Sequence, residues 1–209
     1  MFYSTEGSDR PLRPDPFKQL IVPRPIGWIS SIAANGTVNL APYSFFNAIA
    51  DYPPMVGFGA GGSKADRLYK DSRANVEETG EFVFNLATWE TRHQMNVTSA
   101  HLPAGIDEFA EAGLTPSASR LVRPPRVKES PVQFECRYFA TVDLPADDPA
   151  EPNAFIIGRV VGIHIDDRLI DANGRVDIVA ARPIARLGYS LYSIVDNSFP
   201  MRRPNDPPA

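Results

Sequence analysis

PRPIGWISSIAANGTVNLAPYSFFNAIADYPP, residues 23–54, decides how the rest of the chain is read. Ile26 to Ala33 is apolar and β-branched, and Asn35-Gly36 is a hairpin signal, because both residue types tolerate positive φ. A returning strand begins at Thr37. It then departs from a plain core strand: Ala41, Pro42, Tyr43, Ser44, Phe45, Phe46 and Asn47 mix rings, hydroxyls and an amide where Val and Ile would be expected. Such a mixture suits the wall of a pocket for a flat polar ligand, with rings as apolar surface and a few polar groups to orient it. It equally suits a half-buried strand edge, and composition leaves both open.

Outward from this stretch, 209 residues suffice for one domain with a sizeable core. With 43% hydrophobic and 22% charged residues the composition is that of an ordered globular chain. A net charge of −4 argues against a nucleic-acid partner, which needs a basic face to neutralise phosphates. No apolar run approaches the about 18 residues of a membrane-spanning helix, and the first residues lack a basic start and an apolar core, so a cytoplasmic protein is expected. The single Cys136 sits in the apolar pattern VQFECRYF and reads as a small buried hydrophobe.

In chain order, residues 1–16 read as an extended arm, residues 17–195 as one domain and residues 196–209 as a tail. Phe17 to Val22 is either a helical turn or an edge strand. Met55 to Phe58 is a short strand running into GFGAGG at 57–62, which satisfies G-x-G-x-x-G. A dinucleotide fold would place an acidic residue about 20 positions further on and would continue with alternating strands and helices. Neither occurs, although glycine N–H groups followed by a helix start still favour an anion. Ser63 to Thr79 is helical in parts, with Asp71 or Ser72 as a cap, Val76 turned inward and Gly80 as the stop. Lys64, Arg67, Lys70 and Arg73 make this the most basic short window, either a solvated face or a phosphate site.

Downstream, Glu81 to Ala87 is a buried strand and Thr88 to Ala100 a helix capped by Thr88. Gly105 to Leu114 is a short helix capped by Asp107 and closed by Gly113. Pro131 to Val142 and Ala154 to Ile165 are strands, the second bent at Gly158 and Gly162 and continued to Asp171. Strands divided by proline-rich loops imply a mainly β protein with a few helices, as a barrel or sandwich. His93, His101 and His164 show no metal-ligand spacing, no nucleophile elbow is present, and no catalytic side chain stands out. Redox chemistry would therefore have to come from a bound cofactor.

The ordered set RPIGWISS (24–31), NLAPYSFFNAI (39–49), PPMV (53–56), KDS (70–72), TGEFVFNLA (79–87), DEFAEAGL (107–114), PPRVKESPVQFEC (124–136) and IGRVVGIHID (157–166) resembles the flavin reductase-like family, flavoredoxin-like proteins included. The resemblance implies a split β-barrel of the FMN-binding type, a homodimer with FMN near its interface, and NADH or NADPH as co-substrate. It places the flavin ring beside Trp28, Ser30, Ser31, Pro42, Tyr43, Ser44 and Asn47. Lys70, Asp71 and Ser72 match a Lys-Asp-Thr motif near the FMN phosphate, with Ser63, Lys64 and Arg67 as further candidates. It implies hydride transfer through FMN, with a flavin-bearing electron carrier or FMN-storage protein as the alternative, and a monooxygenase as a conceivable partner.

Overall fold

In a computed structural model, residues 1–6, 11–63, 68–100 and 106–204 are described. The elements, in order, are α1 (Phe17–Leu20), β1 (Arg24–Pro25), β2 (Gly27–Ile32), β3 (Val38–Tyr43), β4 (Phe46–Ala50), β5 (Met55–Gly59), α2 (Asp71–Thr79) and β6 (Glu81–Leu86). There follow α3 (Arg92–Val97), α4 (Glu108–Glu111), β7 (Pro116–Ser117), β8 (Arg126–Val127), β9 (Val132–Leu144), β10 (Asn153–Ile165), a 3₁₀ turn at Asp167–Leu169, β11 (Ile184–Gly188) and β12 (Leu191–Ile194).

Seven strands form one antiparallel sheet in the order β3-β2-β6-β9-β10-β5-β4. Its two edges, β3 and β4, are consecutive in the chain and joined only by Ser44 and Phe45. Laid flat, seven strands would hold their edges about 29 Å apart at about 4.8 Å per step. Three Cα steps from Tyr43 to Phe46 reach at most about 11 Å. The sheet must therefore curl until its edges approach. The Phe46 ring of β4 accordingly stacks on Phe84 of β6 at 4.6 Å, and it fills the space beside Gly27 of β2, where a Cβ would lie 2.5 Å from it. Of the two arrangements that the proline-divided strands left open, barrel and sandwich, this is the barrel.

Curling requires local bends. Pairing of β9 with β10 shifts register at Ile157/Gly158 and at Val160/Gly162, the positions that the two glycines marked in the sequence. Inside the barrel, Ile29, Phe58, Phe82, Phe84, Cys136 and Ile156 form the main core, and Val76 of α2 packs into it. A second core outside β2 and β3 joins Trp28 and Leu40 to Met95, Phe109 and Ile184. Because successive strand side chains point to opposite faces, Ile29 enters the first core and Trp28 the second. β2 is thus covered on both sides. A smaller sheet, β1-β11-β12, lies beside this second core.

Several local expectations hold. Gly80 takes a left-handed φ of 75° and ends α2, and Asp107 caps α4 by accepting from Phe109 N–H at 2.9 Å. Phe17 to Leu20 is the helical turn. Others are corrected. The β2–β3 connection puts only Gly36 at positive φ (+90°), and Ala33 N–H donates to Thr37 O at 2.9 Å, so three residues bridge the strands rather than a two-residue turn. The helix expected over Thr88 to Ala100 is confined to α3, because Trp89 N–H donates to Arg182 O and Thr91 bonds back to Thr88. The strand expected to run on to Asp171 breaks at Asp166, whose carboxylate caps the 3₁₀ turn. Gly57 and Gly59 lie within β5, and the N–H groups of Ala60 and Gly62 donate to Ala154 O and Pro152 O. The glycine run is a strand and its extension, with those donors already engaged. Among the described residues, no helix is long and apolar enough to cross a membrane.

Candidate functional site

β3 ends in Ala41-Pro42-Tyr43 at the edge of the large sheet, where a residue without an N–H breaks no ladder. The chain then crosses the seam between the sheet edges through Ser44 and Phe45. Phe45 O accepts from Gly59 N–H at 2.7 Å, which anchors the crossing to β5. Along this segment runs a groove of about 800 Å³, walled by Pro42, Tyr43, Phe45 and Phe155, with Ser44 and Lys70 among its polar groups. Past Tyr43 and Lys70 it meets a smaller recess of about 100 Å³ lined by Asn39, Asp71, Ser72, Ser99 and Glu108. The main volume lies within the usual range for small-molecule sites, roughly 300–1,000 Å³.

The basic window resolves into different roles. Lys70 is the N-cap residue of α2, and its side chain makes no capping hydrogen bond to the helix start. Ala74 N–H is the first to bond back, to Lys70 O at 3.1 Å, so the earlier N–H groups have no intrahelical acceptor. Asp71 and Ser72 are thus the first helical residues rather than the caps expected. Ser72 is buried and its hydroxyl accepts from Asn39 Nδ2 at 2.8 Å. Arg73 turns away from the groove. It lies over the Tyr69 ring at 3.8 Å and pairs with Glu77 and Asp143 at 3.0 and 2.8 Å. Ser63 gives both its donors to Glu151. Lys64 and Arg67 lie outside the described residues.

Tyr43 is buried with its hydroxyl beside that of Ser72. Burial pushes its pKa up to about 12; the Ser72 bond opposes this and the charges of Asp71 and Glu108 add to it. At neutral pH it is a neutral phenol, able to hydrogen-bond but a poor proton source. Glu108 accepts from Leu40 N–H at 3.2 Å, tying α4 to β3 behind the recess. Cys136 is fully buried, and burial raises its thiol pKa further above the ordinary range, in keeping with a packing role.

Of the residues that the sequence pointed to, Pro42, Tyr43, Ser44 and Lys70 line the groove, and Asp71 and Ser72 line its recess. Four others are placed elsewhere. Ser30 and Ser31 are fully buried. Ser30 Oγ donates to Pro125 O at 2.5 Å, and Ser31 Oγ accepts from Asn75 Nδ2 at 3.1 Å. Trp28 is also fully buried, its indole donating to Thr98 Oγ1 at 2.9 Å. Asn47 lies exposed on β4 with its side-chain oxygen on Ala48 N–H. Sequence reasoning missed Phe155 and Arg24 as groove residues. Phe155 carried a signal, an aromatic side chain two residues into a strand whose opposite face is apolar.

Comparison with known proteins adds three findings. Residues 19–180 match the model described as Flavin reductase like domain. An uncharacterized protein of Aquifex aeolicus is 39% identical over 173 residues, which span 83% of this chain and 85% of that protein. Among solved structures, nitrilotriacetate monooxygenase component B from Bacillus cereus superposes with a TM-score of 0.83 and 31% identity, over 95% of this chain and 100% of that one. A flavin reductase with split barrel domain from Shewanella frigidimarina gives a TM-score of 0.76 at 23% identity, over 91% of this chain and 90% of that one, and so shares the fold.

Proposed function

This chain belongs to the flavin reductase-like family, and from that premise we propose that it is an FMN-binding oxidoreductase that draws on NADH or NADPH. The observation that carries the reading is the start of α2, where the N-cap residue Lys70 leaves its side chain off the helix N–H groups, opening on an aromatic-walled groove. A helix start offers N–H donors and the positive end of its dipole, and a lysine adds a cation, which together suit a phosphomonoester. Pro42, Tyr43, Phe45 and Phe155 offer apolar surface for a flat ring system. These residues fit FMN, with its phosphate toward Lys70 and α2 and its ring along the Pro42–Phe45 wall. Bound FMN would supply hydride and electron transfer, for which side chains alone are unsuited.

The protein's own contribution is positioning. Tyr43 remains neutral and holds its hydroxyl against Ser72, so it sets no charge against a ring. Neither Ser30 nor Ser31 is required for ligand contact in this reading.

The site also bears on assembly. Phe155 and Ile157 of β10 pair with Val142 and Ala140 of β9, and so share one face. Ile156 points into the core, so that face is the outer one. Val142 and Leu144 are exposed on it. Phe155 and Leu144 also line the groove. A homodimer formed through this face would cover the apolar strands and wall in the ligand. The likeness to nitrilotriacetate monooxygenase component B supports the reading that reduced flavin is passed to a partner oxygenase.

Absorbance spectroscopy tests the proposal. Purified protein is expected to be yellow, or to take up added FMN, and to bleach anaerobically with NADH or NADPH. A colourless protein that ignores FMN would sink the flavin reading. Flavin that neither nucleotide bleaches would leave an electron carrier or FMN-storage protein instead.

A further inference from the structure

β1 pairs with β11 so that Arg24 stands directly opposite Arg186. Directly opposed like charges destabilise an antiparallel pair. Here one of the two, Arg24, is also buried, at 6% exposure. Its Nη1 donates to the carbonyls of Lys18 and Ile21, the latter at 2.8 Å, and its buried Nε has no partner. Arg186 donates to the Tyr192 hydroxyl and to Tyr189 O, and its guanidinium lies over the Tyr192 ring at 4.5 Å. Among the described residues neither arginine forms an ion pair with a carboxylate. Burial, then the Arg186 charge, lowers the pKa of Arg24.

Both arginines line a cleft of about 1,150 Å³ together with Lys18, Ser44 and Tyr189. Arg24 and Ser44 also line the candidate flavin groove, so cleft and groove adjoin. Planar guanidinium forks match the oxygens of phosphate or carboxylate, and a bound anion would relieve the repulsion between them. We propose that Arg24 and Arg186 form an oxyanion subsite for the molecule that exchanges electrons with the flavin, which therefore carries a phosphate or carboxylate group. The inference rests on the flavin reading for what lies in the adjoining groove; the anion site itself does not.

Titration calorimetry at low ionic strength tests it, with inorganic pyrophosphate and benzoate as probes. The proteins are the FMN-saturated wild type and, without FMN, a Lys70→Ala variant that lacks the competing phosphate contact. At least one probe is expected to bind both. Pyrophosphate preference would identify a nucleotide phosphate as the ligand group, and benzoate preference a carboxylate. Adding Arg186→Gln is expected to weaken that probe at least tenfold, and Arg186→Lys, which keeps the charge but not the fork, several-fold. Absence of binding by either probe, or equal affinity in Arg186→Gln, overturns the proposal. FMN uptake is read separately in the same samples: anion binding without FMN uptake would remove the flavin reading and retain the subsite.

Discussion

His164 Nε2 lies 2.6 Å from Oε1 of Glu135, a carboxylate with no exposure that also accepts the N–H groups of Arg120, Leu121 and Val122. Burial alone would push the Glu135 pKa up, but the Arg120 and Leu121 N–H groups and His164 outweigh it and hold the pKa below the ordinary value. A carboxylate with a depressed folded-state pKa contributes stability that is fully present above its unfolded value, about 4.3, and is lost as pH falls through the folded one. Thermal melts are therefore expected to show stability declining below about pH 4.3. Glu135→Gln should flatten that decline and cost about 1.5–3 kcal/mol at neutral pH, since it leaves three N–H groups facing a neutral amide. An unchanged acid limb in Glu135→Gln would remove the assignment.

Gly158 is kept small by Phe82, whose ring would stand 2.3 Å from a Cβ at that position. Gly158→Ala is expected to destabilise by about 1–3 kcal/mol, since a packed ring must shift. Pairing it with Phe82→Leu should recover part of the loss in urea denaturation, because residues in contact couple. Purely additive losses would show that the ring is not the obstacle.

At the candidate phosphate end, Lys70→Ala is expected to weaken FMN roughly tenfold to a hundredfold, as for loss of one charge-assisted hydrogen bond. Riboflavin, which lacks the phosphate, should change little. Flavin fluorescence quenching measures both affinities, and equal losses would place the phosphate elsewhere.

Assembly through the outer face of β9 and β10 makes a separate demand. Light scattering is expected to give the wild type twice the 23.0 kDa chain mass and Val142→Arg the single mass, with circular dichroism unchanged. A monomeric wild type would dispose of the interface.

Which features were legible in the sequence follows from the range of the forces that set them. Gly80, Gly113 and Asp107 act within one helical turn, and residue type alone identified them. Gly158 and Gly162 signalled bends because a strand interior otherwise has no use for glycine. Ser30 and Ser31 illustrate the opposite case: their hydroxyls are engaged by Pro125 and Asn75, partners that only tertiary pairing delivers. Arg73 was similar. Nothing near it in sequence announced Asp143, and without that partner it was indistinguishable from Lys70. The Arg24–Arg186 opposition was likewise invisible, being a matter of strand register.

The crossing at Ser44 and Phe45 is where the curled sheet meets itself, and no continuous ladder of strand hydrogen bonds joins β3 to β4. A molecule lying along Pro42 to Phe45 would therefore act as a clasp, touching both lips of the closure at once. Since a ligand that binds only the closed form stabilises it by RT ln(1 + [L]/Kd), the tightness of this barrel would be set partly by what it carries.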